Sequence, residues 1–328
     1  MPRPRILVTR RWPEAVERRL CALFDTTLNT DDHRLSADEL RAALRAFDAV
    51  LPTVSDRLDA SVLDAGLFTV DAARARILAN YGVGYSHIDI DAARACGLVV
   101  TNTPGVLTDC TADLALTLML MVARRAGEGE REVRAGQWAG WRPTHLVGTR
   151  LSGKTLGIIG MGRIAIAVAR RAQHGFGMKV VYFNRSPVAP AQLAGLETTA
   201  CARIEDVLAQ ADFVSLHCPG GGANRHLIDA ARLAAMPPHA ILINTARGDV
   251  VDEAALVDAL DHGRLAGAGL DVYENEPQVH PGLLALENVV LLPHLGSATR
   301  ETREAMGMRV VDNLVAFFAG KRPPDQVS

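Results

Sequence analysis

The chain has 328 residues, 48% of them hydrophobic and 22% charged, with a formal net charge of -2. That length exceeds what one hydrophobic core usually serves and predicts two domains of ordinary size. The near balance of charge leaves no surplus of cations for a nucleic-acid backbone or an anionic membrane, so neither is an expected partner.

The first residues, Met1-Pro2-Arg3-Pro4-Arg5, lead into Ile6-Leu7-Val8 with no apolar signal core. From there short β-branched runs at 6–9, 49–51 and 77–79 alternate with amphipathic stretches at 14–24 and 37–45, an α/β pattern. A further apolar run, 98–100, stops at Asn102-Thr103-Pro104-Gly105, and a long helical stretch follows over about 108–125. We expect the chain to cross between domains there. The apolar part of that helix, 114–123, is about half the length needed to span a bilayer and reads as a buried helix. A polar loop bearing Trp138 and Trp141 comes next.

The most regular part begins at Leu156. Strands are predicted at 156–159, 179–183, 213–216 and 241–244, and near Leu265 and Val289; helices at 164–173, 204–210, 229–236 and 253–262 lie between them. Successive parallel strands joined by helices make a doubly wound sheet. A last helix, 299–318, follows Pro293 and is expected to return to the first domain. The five cysteines are odd in number, widely spaced and never arranged C-x-x-C, and the ten histidines lack ligand-type pairing. Reduced cytoplasmic surroundings and no metal site are expected.

Gly160-Met161-Gly162-Arg163-Ile164-Ala165 falls between a predicted strand and a predicted helix, the context in which G-x-G-x-x-G/A binds a dinucleotide. Gly160 permits the tight turn, Gly162 clears a path for pyrophosphate, and Ala165 lets helix press on strand. The pyrophosphate would meet free N–H groups and the positive end of the helix dipole. A glycine turn that binds nothing is the ordinary alternative.

Three segments follow predicted strands: Asn244-Thr245-Ala246-Arg247-Gly248, Asp271-Val272-Tyr273-Glu274-Asn275-Glu276-Pro277, and Leu292-Pro293-His294-Leu295-Gly296-Ser297. Taken singly, each has a bland account as a solvated arginine, a solvated acid or a structural histidine. Together they supply what hydride transfer to a keto acid needs. Arg247 can bind a carboxylate in two-pronged geometry, His294 can exchange a proton near neutral pH, and Glu276 can favour its imidazolium form.

With these segments in place the chain resembles the D-2-hydroxyacid dehydrogenase family, and within it the glyoxylate/hydroxypyruvate reductase branch. The likeness runs through Tyr81-Gly82-Val83-Gly84-Tyr85, the glycine turn, 244–252, Gly269-Leu270-Asp271-Val272 and 293–299. It implies two Rossmann-like domains, one flavodoxin-like and one NAD(P)-binding, with the active site in the cleft between them. Residues 1–103 and 295–328 would form the substrate-binding domain, and 104–294 the nicotinamide dinucleotide domain. The resemblance assigns Arg247 to the substrate's carboxylate and carbonyl, Glu276 and His294 to the acid/base pair, and the Val83 and Gly84 amides to the carboxylate. It implies cofactor contacts from Thr108, Cys218, Pro219, Thr245, Ala246, Asp271, His294 and Gly296, besides the turn itself. Leu51 and Trp141 would border the substrate. The Trp138/Trp141 loop resembles one that reaches a neighbouring subunit's site in the reductase branch, although an ordinary surface loop is the alternative; a homodimer is implied.

Two departures from the family pattern stand out. Ala165 replaces the usual third glycine, and Asn184-Arg185-Ser186 stands where NAD-preferring members carry an acid. No acid occurs between Lys179 and Leu196, and Arg185 could pair with a 2′-phosphate, so NADP(H) is expected over NAD(H). Other readings are a nicotinamide-sensing corepressor, a dehydrogenase of a larger 2-hydroxy acid, and formate dehydrogenase. The last typically has an amide where this chain has Glu276. Glyoxylate and hydroxypyruvate are the first-choice substrates.

Overall fold

The structure is a computed structural model that describes residues 2–64, 66 and 74–327. The chain divides into two compact units, Met1–Leu107 with Ala298–Ser328, and Thr108–Ser297. The expected crossings at 103/104 and 294/295 lie a few residues earlier than these. The chain stays with the first unit through the turn at 104–107 and leaves it where a helix begins at Thr108.

The first unit opens with β1 (Arg5–Val8), α1 (Glu14–Leu23), β2 (Asp25–Leu28), α2 (Ala37–Ala46) and β3 (Ala49–Leu51). It continues with β4 (Ile77–Ala79), α3 (Ile90–Ala95) and β5 (Val99–Thr101). All strand pairs are parallel in the order β2-β1-β3-β4-β5, the flavodoxin-like arrangement. The central β3 and β4 consist wholly of buried apolar residues, as strands covered on both faces should. At α2 the Ser36 hydroxyl accepts from the Glu39 N–H while the Glu39 carboxylate accepts from the Ser36 N–H, a reciprocal cap that stabilises by about 1 kcal/mol.

The second unit contains α4 (Thr108–Ala123), α5 (Ala126–Arg134), β6 (Thr155–Ile159), α6 (Arg163–Phe176), β7 (Lys179–Phe183), β8 (Thr198–Ala200) and α7 (Ile204–Leu208). After these come β9 (Phe213–Leu216), α8 (Ala230–Ala234), β10 (Ile241–Asn244), α9 (Glu253–Asp261), β11 (Gly267–Leu270), α10 (Pro281–Leu284) and β12 (Val289–Leu291). The seven strands order as β12-β11-β10-β9-β6-β7-β8, all parallel. Strand order reverses between β6 and β9, and ligands of open α/β sheets bind at such a switch point, outside the carboxyl ends of the strands. Alternate strand residues feed two cores: Leu156, Ile158 and Ile243 pack with α4 and α6, whereas Ile159, Val214 and Leu242 pack with α7 and α9.

The last helix, α11 (Arg300–Phe318), belongs to the first unit. It packs on α1, and the tail behind it is tied down by Arg309 to Asp325 (2.6 and 2.8 Å) and by the Val327 N–H to the Val100 carbonyl (2.8 Å). Strands β2 and β8 and helices α3, α5 and α10 were not expected from sequence, and the strand expected near Leu265 starts at Gly267. Among the described residues no helix is long and apolar enough to cross a membrane.

Candidate active site

The glycine turn lies between β6 and α6, at the switch point. Gly160 has φ +93°, and a Cβ there would sit 2.9 Å from the Cys218 amide nitrogen and 3.0 Å from the His217 carbonyl oxygen. Only glycine lets the turn lie against the loop after β9. Gly162 precedes α6 with no side-chain cap on the helix, and a Cβ on it would enter open space. An uncapped helix N-terminus behind a clear approach is an anion site. At the end of β10 the Thr245 hydroxyl is buried without a protein partner. These features fit a dinucleotide. Cys218 and Pro219 follow β9 beside Gly160; burial pushes the Cys218 thiol up to about 11 and the His217 imidazole down to about 4, leaving both uncharged at neutral pH.

At the end of β7, Arg185 and Ser186 are exposed and Arg185 makes no ion pair among the described residues. Asn184 Oδ1 accepts from the Met161 N–H (2.9 Å) and its Nδ2 donates to the Ser186 carbonyl (2.7 Å). The side chain expected on the cofactor therefore fastens the glycine turn to the loop after β7, and so does the Met161 amide.

Behind β10, Asn244 shapes the turn that carries Arg247: its Nδ2 donates to the Arg247 carbonyl (2.8 Å) and its Oδ1 accepts from the Ala246 N–H (3.0 Å). Arg247 is partly buried and its Nη1 donates to the Ala246 carbonyl (2.6 Å). Burial lowers its pKa, opposed by the charges of Glu276 and Asp249. Gly248 lets the 271–277 loop close on this turn, since a Cβ there would lie 1.8 Å from the Tyr273 carbonyl carbon.

The two glutamates of that loop have separate jobs. Glu274 accepts from Arg225 (2.6 Å) and His226 (2.8 Å). Glu276 accepts from the Tyr273 N–H (3.1 Å) through Oε1 and meets His294 Nδ1 at 2.9 Å through Oε2. Burial pushes Glu276 up, but the hydrogen bond and charge of His294, the Tyr273 amide and Arg247 outweigh it, so the carboxyl stays below its usual value. With Nδ1 committed to an anion, Nε2 is the nitrogen left to exchange a proton.

His294 has φ +55°, a left-handed conformation that costs a non-glycine residue about 1–2 kcal/mol. Asp271 holds it there: its carbonyl accepts from the His294 N–H (2.9 Å), and its carboxylate accepts from the Leu295 and Gly296 N–H groups (2.6 and 2.8 Å). Asp271 is 1% exposed. The carboxylate expected to touch cofactor is spent on the histidine's loop, and burial raises its pKa despite those donors. The Gly296 carbonyl accepts from Thr111 of α4 (2.9 Å), one turn beyond Thr108. Asn244, Gly248 and Thr111 were not foreseen; a buried asparagine at the end of an otherwise apolar strand was the one visible signal.

Within the first unit, Val83 and Gly84 lie on the partly exposed loop after β4. Leu51, expected to border the substrate, is fully buried at the end of β3 and offers a ligand no surface. Trp138 and Trp141 are 54% and 82% exposed. Among the described residues no group of three or more His, Cys, Asp or Glu could hold a metal ion.

Residues 116–296 match the NAD binding domain of D-isomer specific 2-hydroxyacid dehydrogenases. The chain belongs to that family. It is 50% identical over 264 residues to a glyoxylate reductase of Thermococcus litoralis, covering 79% of this chain and 78% of that one. To a glyoxylate reductase of Thermococcus onnurineus it is 44% identical over 333 residues, covering 99% and 96%. Among solved structures it resembles the NADPH-dependent glyoxylate/hydroxypyruvate reductase of Sinorhizobium meliloti in complex with NADP and malonate. There the TM-score is 0.86 at 39% identity over 99% and 97% of the two chains.

Proposed function

We propose that this enzyme reduces a small 2-keto acid, glyoxylate or hydroxypyruvate, to the D-2-hydroxy acid, with NADPH preferred over NADH. The observation that carries the reading is the Glu276–His294 contact of 2.9 Å, with Arg247 held close enough to feel the charge of Glu276. When bound, the nicotinamide supplies a hydride and takes it back in the reverse direction. Arg247 clamps the substrate carboxylate and polarises the carbonyl. Protonated His294 gives its Nε2 proton to the carbonyl oxygen, and Glu276 stabilises the imidazolium until transfer. Oxidation of the hydroxy acid needs the same histidine neutral. The Val83 and Gly84 amides add donors for the carboxylate. Arg163 and Ile164 open the helix that receives the pyrophosphate, and Thr108, Thr245 and Ala246 flank the cofactor.

NADPH is preferred because the end of β7 lacks the acid that would accept from a ribose 2′-hydroxyl and repel a 2′-phosphate, while Arg185 stands exposed and unpaired. Helix α5 buries none of its residues, and Val133, Trp138, Trp141 and Val147 are exposed around it. Four exposed apolar side chains on and after a helix that buries nothing suit pairing with a second copy, and with five free cysteines we infer a cytoplasmic homodimer.

A panel of 2-keto acids assayed with each nucleotide tests the reading, since kcat/KM ratios rank substrate and cofactor together. Arg185→Ala should raise the KM for NADPH about 10-fold or more and leave NADH nearly untouched. Equal KM values in the wild type, or a variant that loses both nucleotides alike, would remove Arg185 from the phosphate.

A further inference from the structure

The loop after β4 has an uncommon division of its backbone polar groups. Asn80, fully buried at the strand's end, spends both amide hydrogens on it: Nδ2 donates to the Gly82 carbonyl (3.0 Å) and to the Gly84 carbonyl (3.1 Å). Those two acceptors fix the orientation of the Asn80 amide, so Oδ1 faces His87 and accepts from its Nε2 (3.0 Å). The carbonyl between them, Val83, accepts from Asn102 Nδ2 (2.9 Å), and the Thr103 N–H also donates to Gly82 (3.0 Å). Three consecutive carbonyls are thus drawn toward the protein. The N–H groups of Val83 and Gly84 have no acceptor among the described residues, and this stretch of backbone is partly exposed.

A peptide backbone normally presents donors and acceptors together, and an approaching carboxylate would meet repulsion from the carbonyls as well as attraction from the amides. Removing the carbonyls from one face leaves that face donor-only. We infer that Asn80, seconded by Asn102, is a positioning residue that makes this loop selective for the substrate's carboxylate. The inference rests on the function proposed above and on its assignment of Val83 and Gly84. Glutamine at position 80 would be too long for the paired carbonyls, aspartate would turn both donors into acceptors, and serine keeps at most one donor.

The test compares reduction of the wild type's best 2-keto acid with reduction of its methyl ester, which keeps the reacting carbonyl and loses the charge. In Asn80→Ser the KM for the acid should rise about 10-fold or more, the loss expected when hydrogen bonds to a charged group are misaligned. kcat/KM for the ester should change less than about threefold, and the Kd for NADPH, read by fluorescence without substrate, should stay within about twofold. An unchanged KM for the acid, or an equal loss on acid and ester, overturns the inference. Should Asn80→Ser fail to fold, Asn102→Ser should show the same selectivity at smaller size, and its indifference is equally decisive. A wild type that reduces no 2-keto acid overturns the functional reading and this inference with it. An active wild type with indifferent variants overturns this inference alone.

Discussion

Replacing Glu276 with glutamine removes the charge and one of the two accepting oxygens: the amide oxygen can keep the His294 contact, and the NH2 then stands where the Tyr273 N–H had its acceptor. Two unit charges 4 Å apart interact by about 4 kcal/mol at an effective dielectric of 20. The side chains here are 30% and 33% exposed, so water screens the pair and we take about half that value or less. At 1.36 kcal/mol per pH unit, that is a displacement of at most about 1.5 pH units in the rate profile. Reduction requires the imidazolium, so the high-pH limb of kcat/KM for the keto acid should move to lower pH by that amount. Oxidation requires neutral histidine, and its rising limb should move the same way, which widens the range in which oxidation proceeds. The assay is a pair of pH profiles at saturating nucleotide, for wild type and Glu276→Gln. A reduction limb that stays in place, or moves upward, would show that another group donates the proton.

Arg247→Ala should lower kcat/KM for the keto acid by about 10²-fold or more, the usual cost of removing one preorganised electrostatic donor, and lysine should not restore it. Steady-state kinetics decide this, and near-normal turnover would take Arg247 out of the site. Gly248→Ala should destabilise by about 1–3 kcal/mol in urea unfolding, because the new Cβ collides with the Tyr273 backbone 1.8 Å away and two packed loops must part. The same displacement should separate Arg247 from Glu276, so activity should fall in the fraction that remains folded; wild-type stability would mean that the loops yield freely.

The parts of the fold written in apolar pattern were legible without coordinates. Strands β3 and β4 are runs of buried aliphatic residues, β9 and β10 are buried throughout with one polar residue each (Ser215 and Asn244), and the glycine turn sits where strand gives way to helix. Two of the four edge strands were not legible: β2 reads Asp-Thr-Thr-Leu and β8 Thr-Thr-Ala, because a strand paired on one side needs no continuous apolar run. Helix α5, Ala-Gly-Glu-Gly-Glu-Arg-Glu-Val-Arg, carries two glycines and buries nothing, so no periodic stripe marked it. At the site, residue type placed Glu276 and His294 together, but it could not say which way a side chain turns. Asn184 and Asp271 have the right chemistry for a ligand, and the sequence could not show that both also bind backbone groups of their own loops. Asn80 left a trace only in retrospect, as a polar residue ending an apolar strand just ahead of two closely spaced glycines.

The return of α11 to the first unit sets an order of events during synthesis. The second unit is one uninterrupted stretch, Thr108–Ser297, and all of it is encoded before Ala298. The first unit is split around it: α1 lacks the helix that covers it, and β5 lacks the Val327 contact at its edge, until residues 298–327 have been made. Domains generally fold as units as they leave the ribosome, with those nearer the N-terminus first. Here the unit that begins later is complete in sequence first, so the usual order is reversed for the last steps of the first unit.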